Sequence, residues 1–347
     1  MRVCLVGTLP DAGREIHTGP ERTTIGLAEA LAVRGHDVEV LADEGTSQAV
    51  ATSATVLPVT APPGVTRLAQ FGYQTHRVLT AHDYDIVHAW RPVPGLDVLS
   101  LHSVGMVAQV EGRLPGTFSW RFRQGARVER LAKRLASRRA SQTITTAPSN
   151  AADARRFGFD TDGVIPVGVS EAFLTPDRCV DEQQVLCVGR IEPRKQQQFV
   201  AENTPDDYSL RLAGPSGDRA YTERVTDLTD GWEGALSPDA LVDAYSEASV
   251  FVIPSVFEGF GLTAVEAMAA GTPVVAADTC GVADIVAEED VGAVFEFGDA
   301  DDYRRALEAV VRRRDELAER ARRLVRRQLT WNEIAQSYER VYQSVSE

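Results

Sequence analysis

Lysine is almost missing from this chain. Only Lys133 and Lys195 are lysines, and the other 34 of the 36 basic residues are arginines. High-GC coding and adaptation to salt both produce such a bias, and it makes each remaining lysine worth a question. Cysteine is scarce as well: Cys4, Cys179, Cys187 and Cys280 form no C-x-x-C pair. That spacing argues against a zinc site and for reduced thiols in a cytoplasmic protein, with Cys4 and Cys187 inside apolar strand patterns. No apolar run reaches the roughly 18 residues of a membrane span. The opening MRVCLVGTLPDAG holds too short an apolar segment for a secretory signal and reads as a buried strand followed by a loop. Positive charge is in deficit: a net charge of −14 removes bulk attraction to nucleic acid. No G-x-G-x-x-G follows the first strand, which disfavours a dinucleotide oxidoreductase. Low-complexity segments and short repeats are absent.

What is there is one pattern, written twice over 347 residues, a length suited to two domains. Short apolar strands alternate with amphipathic helices. In the first half, strands are expected at 2–7, 36–42, 84–90, 96–103, 142–149 and 163–168, with helices at 23–35, at 117–140 and from Asn150. The second half restarts with strands at 184–190, 208–214, 248–255 and 272–278. Continuous apolar strands separated by helices predict parallel sheets covered on both faces, hence an α/β fold of two doubly wound domains. Residues 169–183 carry no periodicity and read as a linker, so the domains are expected at 1–168 and 184–330. The helix expected at 331–345 is the last element. Ligands of doubly wound sheets bind at the carboxyl ends of strands, where two facing domains make a central cleft.

Two stretches at such strand ends carry chemistry. In PSVFEGFGLTAVEAMAAGTPV (254–274), a glycine-bracketed loop holds Glu258 and the following helix holds Glu266. Free N–H groups at a helix start bind anions, and glycines let a phosphate approach the backbone. A carboxylate beside such a site suits neutral hydroxyls: Glu266 a ribose diol, Glu258 sugar hydroxyls. The alternative is two exposed glutamates favoured by a helix N-terminus. In VLCVGRIEPRKQ (185–196), Arg190 and Lys195 offer two cations to a diphosphate; the alternative is a solvated basic turn.

Gly189-Arg190 with Lys195, then Glu258-x7-Glu266 in that order, resembles the family 4 glycosyltransferases of the GT-B fold, and the resemblance extends over nearly the whole chain. GPERTTIGLAEALAVRGHDVEVL (19–41), LHS (101–103), VIPVGVSEAF (164–173) and WEGALSPDALVDAYSEASVFVIPS (232–255) resemble further parts of that family. So does the C-terminal helix, which in the family crosses back onto the first domain. The resemblance implies a retaining hexosyltransferase that uses a nucleoside-diphosphate sugar, needs no cofactor and usually no metal, and acts on a hydroxyl of a glycan, lipid-linked or small-molecule acceptor. It implies that Arg190 and Lys195 hold the diphosphate and Glu266 the ribose. Glu258 and the backbone of Gly259, Phe260, Gly261 and Leu262 then meet sugar and phosphates, His102 lies near the sugar, and a loop around Gly7 and Gly19 closes over the site. The chain departs from the family pattern at Pro20, Val167 and Gln196, where a second glycine, an asparagine and a glycine are usual. Two other functions compete: a sugar-nucleotide epimerase on the same fold, and a catalytically silent sugar-nucleotide-binding partner subunit.

Residues 113–139 hold nine basic residues and one acid, Glu129, with Phe118, Trp120 and Phe122 at the start and Val128, Leu131, Ala132 and Leu135 as an apolar stripe. Such a segment suits an anionic membrane surface at the inner face, reached from the cytoplasm. The alternative is a helix whose stripe packs on the sheet with its arginines in water.

Overall fold

A computed structural model describes residues 1–10, 18–43, 54–59, 67–93, 96–101, 104–174 and 181–347. The strands are β1 (Arg2–Val6), β2 (Asp37–Asp43), β3 (Thr55–Val59), β4 (Ile86–Ala89), β5 (Val98–Leu101), β6 (Gln142–Thr145), β7 (Gly163–Val164), β8 (Asp181–Val188), β9 (Ser209–Ala213), β10 (Ala248–Ile253), β11 (Val274–Ala277) and β12 (Gly292–Phe295). The helices up to residue 203 are α1 (Gly19–Val33), α2 (Arg67–Ala81), α3 (Met106–Arg113), α4 (Trp120–Ser137), α5 (Pro148–Arg156) and α6 (Gln197–Asn203). Beyond them lie α7 (Arg219–Thr226), α8 (Pro238–Glu247), α9 (Leu262–Ala270), α10 (Val282–Glu288), α11 (Ala300–Arg312), α12 (Arg314–Leu324) and α13 (Trp331–Ser346).

The chain divides into two compact units. The first comprises Met1–Gly105, Ser119–Gly168 and Trp331–Glu347, and the second Met106–Phe118 and Val169–Thr330. Residues 106–118, which the sequence pattern leaves in the first half, thus group with the second unit. Val110, fully buried on α3, clusters there with Val256 and Phe257.

Among the described residues the first unit carries a seven-stranded sheet of order β3-β2-β1-β4-β5-β6-β7, and the second a five-stranded sheet of order β12-β11-β10-β8-β9. Each ladder is parallel. The first order runs outward in both directions from β1 and β4, and the second from β8 and β10. These are the two reversal patterns of doubly wound folds, and each puts a crevice at the strand ends where the order reverses. The central strands β4, β5, β10 and β11 are buried end to end, as strands covered on both faces must be.

The C-terminal helix completes the first unit. Ile334, Ala335, Tyr338 and Tyr342 of α13 join Val3, Leu5, Leu27 and Leu31 in one core cluster. Gly26 makes this approach possible: a Cβ there would stand 2.2 Å from the Trp331 indole. Deeper in, the buried His88 of β4 shares hydrogen bonds with Tyr342 Oη and Ser100 Oγ, each at 2.7 Å, and stacks on Trp90 at 4.5 Å. At the rim, Glu339 accepts two bonds from Arg34 (2.8 and 2.7 Å) and lies 2.8 Å from His36 Nε2. The Arg34 hydrogen bonds hold the Glu339 carboxyl below its usual pKa range.

Cys4, Cys187 and Cys280 are buried free thiols, and Cys179 lies outside the described residues. Burial pushes the Cys4 and Cys187 thiols up to about 12. Among the described residues no helix is long and apolar enough to cross a membrane.

Candidate functional site

In the second unit the order reverses between β8 and β10, and both chemistry-bearing stretches leave the sheet there. β8 delivers Gly189, whose N–H donates to Ala213 O at 2.8 Å. Arg190 follows. Its aliphatic stem lies over Gly217, where a Cβ would come within 2.5 Å of Arg190 Cγ and Cδ, and the residue is exposed. Its guanidinium makes no ion pair among the described residues. Ile191 is buried and anchors the turn through Pro215 O at 2.9 Å. A short 3₁₀ turn, Pro193–Lys195, then carries Arg194 and Lys195 across toward the β10 loop.

The two loops are zipped together. Val256 N–H donates to Arg194 O at 2.9 Å, and Arg194 Nη1 donates to Phe257 O at 2.9 Å. Lys195 Nζ donates to the Glu258 carboxylate in a short hydrogen bond. Arg194 approaches the same carboxylate at 3.4 Å and donates to Glu192 at 2.8 Å. Glu258 is therefore no exposed cap; it sits between two cations. Burial works to raise its pKa, but the attraction of Lys195 and Arg194 and their hydrogen bonds outweigh it and leave the carboxyl below its usual range. Burial works against the charge of Arg194 too, and Glu258 and Glu192 more than compensate.

Position 196 explains one departure from the family pattern. Gln196 adopts a left-handed conformation (φ 56°, ψ 33°), the region that favours glycine. Its own side chain offsets part of the strain by donating to Pro193 O at 2.7 Å.

The β10 loop is held from below. Gly281 N–H donates to Glu258 O at 3.0 Å, Val282 N–H to Phe260 O at 2.7 Å, and Thr279 Oγ1 to Ser255 O at 2.6 Å. Phe260 is buried. Gly261 then starts α9 at φ 111°, a conformation that side chains rarely adopt, and caps it without any side-chain hydrogen bond. Its carbonyl takes the N–H groups of Ala264 and Val265 at 2.9 and 3.3 Å. The N–H groups of Leu262 and Thr263 precede the first intrahelical bond and point out of the helix start, where anions bind.

Glu266, one turn further, is 1 % exposed and accepts a 2.9 Å hydrogen bond from Tyr245 Oη on α8. It too is no solvated cap. Its neighbours Ala264, Val265, Ala267, Met268, Ala269 and Ala270 are all buried, which accounts for the run of small apolar residues around one acid.

The other expected residues lie in the first unit. Gly7 ends β1 against α1, where a Cβ would stand 2.5 Å from Thr24 Oγ1, and Thr8 N–H donates to that same oxygen at 3.3 Å. Gly19 does not lie in a loop. It is the first residue of α1, which starts four residues before the expected 23 because Thr18 caps it, with the Glu21 carboxylate accepting from Thr18 N–H at 3.1 Å. Pro20 falls in the first turn, where a missing N–H costs no intrahelical bond. His102 lies outside the described residues.

Two residues of the site escape the sequence pattern. Arg194 reads as one more arginine in an arginine-rich chain; only its place beside Lys195 hints at it. Tyr245 precedes Glu266 by 21 positions with no motif linking them. Among the described residues no group of three His, Cys, Asp or Glu side chains is placed to hold a metal ion.

Comparison with known proteins gives this arrangement a class. The chain superposes on the sucrose-phosphate synthase of Thermosynechococcus elongatus with a TM-score of 0.79 at 23% identity, covering 99% of this chain and 98% of that one. It superposes on Anabaena HepE in complex with UDP and glucose with a TM-score of 0.73 at 20% identity, covering 99% and 100%. The two Rossmann-like units are those of a GT-B fold.

Sequence matching then gives the family. The model described as Glycosyltransferase Family 4 matches residues 17–173, and that described as Glycosyl transferases group 1 matches residues 177–328. A phosphatidyl-myo-inositol mannosyltransferase of Mycolicibacterium smegmatis is 28% identical over 96% of this chain and 92% of its own length. A D-inositol 3-phosphate glycosyltransferase of Geodermatophilus obscurus is 30% identical over 69% of this chain and 62% of its own. The chain belongs to the family 4 glycosyltransferases.

Proposed function

We propose that this glycosyltransferase moves a hexose from a nucleoside-diphosphate sugar to an acceptor hydroxyl, with retention at the anomeric carbon and without a bound metal. One observation carries the reading: unpaired Arg190, the Arg194–Lys195–Glu258 cluster and the uncapped start of α9 converge on one sheet's reversal point. The three cations outnumber the two carboxylates, Glu258 and Glu192, by one, and Arg190 stands unpaired beside outward N–H groups. That combination suits a pyrophosphate and the charge it gains as a leaving group.

In this reading Arg190 and the N–H groups of Leu262 and Thr263 take the phosphates. Lys195, shared with Glu258 before the donor enters, turns one or more of its three donors to the β-phosphate. Glu258 then receives sugar hydroxyls. Glu266 accepts from the ribose diol with Tyr245 holding its carboxylate in place. The bond from the anomeric carbon to the β-phosphate oxygen breaks as the acceptor oxygen bonds that carbon from the same face. The acceptor's proton passes to the departing phosphate oxygen, so the nucleoside diphosphate leaves protonated and no covalent enzyme intermediate forms. His102 serves beside the sugar.

The relatives' names support an inositol-bearing acceptor, phosphatidyl-myo-inositol by one name and D-inositol 3-phosphate by the other, and HepE in complex with UDP-glucose supports a uridine or similar diphosphate donor. A panel of UDP-, GDP- and ADP-hexoses with myo-inositol phosphates, read by NMR of the product's anomeric proton, tests the proposal. An axial linkage from an axial donor is expected. An inverted linkage removes retention, and release of an isomerised donor without acceptor returns the epimerase reading.

A further inference from the structure

The side of α4 that faces its own unit is the polar one. Lys133 is 8% exposed and pairs with Glu129 at 3.1 Å, Arg130 lies over the Phe157 ring at 4.1 Å, and Ala136 is buried. The apolar residues face the other way. Trp120, Val128, Leu131 and Leu135 fall along one side of the helix and are 67, 61, 58 and 54% exposed. The packing of this stripe on the sheet, open as an alternative from sequence, is therefore excluded. Such an orientation leaves aliphatic groups in water while a lysine is buried, the reverse of what a helix facing solvent adopts.

The rim of the stripe is equally one-sided. Arg121, Arg127 and Arg138 are exposed, and none makes an ion pair among the described residues; Arg134 instead lays its guanidinium over Gly158 of its own unit. In a chain of net charge −14, with many of its other arginines paired to acids, this leaves a positive border around an apolar line. Arginine stems lie along apolar surface while their heads reach outward, and tryptophan favours the boundary between acyl chains and headgroups.

We propose that α4 docks the protein on an anionic phospholipid surface, lying in the plane of the headgroups. Trp120, Val128, Leu131 and Leu135 enter the acyl boundary, and Arg121, Arg127 and Arg138 meet lipid phosphates. Charge complementarity selects this occupant. The rest of the chain is repelled by a negative surface, so binding holds only with the stripe turned toward it, and the contact fixes the orientation of the first unit. The proposal stands apart from the donor-site reading, since no residue of α4 takes part in it.

The test is sedimentation of the full chain with vesicles of phosphatidylcholine alone and of phosphatidylcholine with phosphatidylglycerol. Binding is expected only to the anionic vesicles, weakening as salt rises. The pairs Leu131→Ser with Leu135→Ser, and Arg127→Ser with Arg138→Ser, are each expected to lower apparent affinity at least about tenfold, with the thermal midpoint unchanged. As a check that needs no destabilising change, Trp120→Phe should remove part of the blue shift in tryptophan emission on vesicle addition. The proposal is overturned if the wild type ignores anionic vesicles, or if folded variants bind them as the wild type does. It is also overturned if the wild type forms a dimer that the leucine variants dissolve while vesicles recruit neither, which would make a second copy the occupant.

Discussion

The two sheets reverse strand order by the same rule, yet the crevices they create differ in chemistry. In the first unit, the loop after β1 presents Gly7 and Thr8 against Thr24, and from the β4 side Arg91 reaches Thr8 Oγ1 at 3.3 Å. Gly7, Thr8 and Thr24 are small and neutral, and Arg91 is the cation named among these described residues. In the second unit, the loops after β8 and β10 bring three cations, two partly buried carboxylates and an uncapped helix start to the corresponding place. Among the described residues one architecture thus carries two crevices of different charge, and the difference lies in loop residues that the sheet positions without specifying.

The largest expected effect comes from erasing the difference. Arg190→Ala or Lys195→Ala should each lower kcat/KM by about a hundredfold or more, the scale for losing a donor that stabilises developing charge. Steady-state kinetics that match wild type would remove the diphosphate role. Next is Glu266→Gln, which keeps the shape and the Tyr245 contact but removes the charge. It should weaken nucleoside-diphosphate binding by about 1.5–3 kcal/mol, the range for hydrogen bonds to charged groups, as read by calorimetry; an unchanged affinity would make Glu266 a packing residue.

A third change strikes the first unit only. Gly26→Ala places a methyl group inside the Trp331 ring position and should destabilise by about 1–3 kcal/mol, seen as a lower thermal midpoint. An unshifted midpoint would mean that α13 is not held against α1 in solution.

The smallest effect is acid sensitivity at Glu339. Its pKa is depressed in the folded state, so its stabilisation is present above the unfolded carboxyl value of about 4.3 and is lost as pH falls through the lower folded value. Glu339→Gln should therefore narrow the gap to wild type as pH drops below about 4, measured by urea unfolding across pH. A gap that widens there would reverse the assignment.

The interior of each sheet was legible because a parallel strand buried on both faces must be continuously apolar, as in VFVI of β10 and VVAA of β11. Of the four edge strands, β7 and β9 were legible and β3 and β12 were not. β3 and β12 have one neighbour each, and in β12 three of four residues are only partly buried, so the apolar run that marks a strand is diluted. Residues 106–118 were misplaced because contact with Val256 and Phe257 is tertiary and leaves no local period.

In the site, residue types and their spacing pointed to Glu258, Glu266, Arg190 and Lys195. Their partners were hidden: Arg194 and Lys195 meet Glu258 from 64 and 63 positions away, and only the adjacency of β8 and β10 joins them. The direction of α4 was hidden for a related reason. Periodicity shows that a helix has two faces, but only packing decides which one turns inward.

A crystal structure with bound UDP or GDP tests the central claim most directly. The account predicts the pyrophosphate within hydrogen-bond reach of Arg190, Lys195 Nζ and the N–H groups of Leu262 and Thr263, with a ribose hydroxyl on Glu266. A nucleotide lodged elsewhere, with Lys195 still bonded only to Glu258, would contradict it.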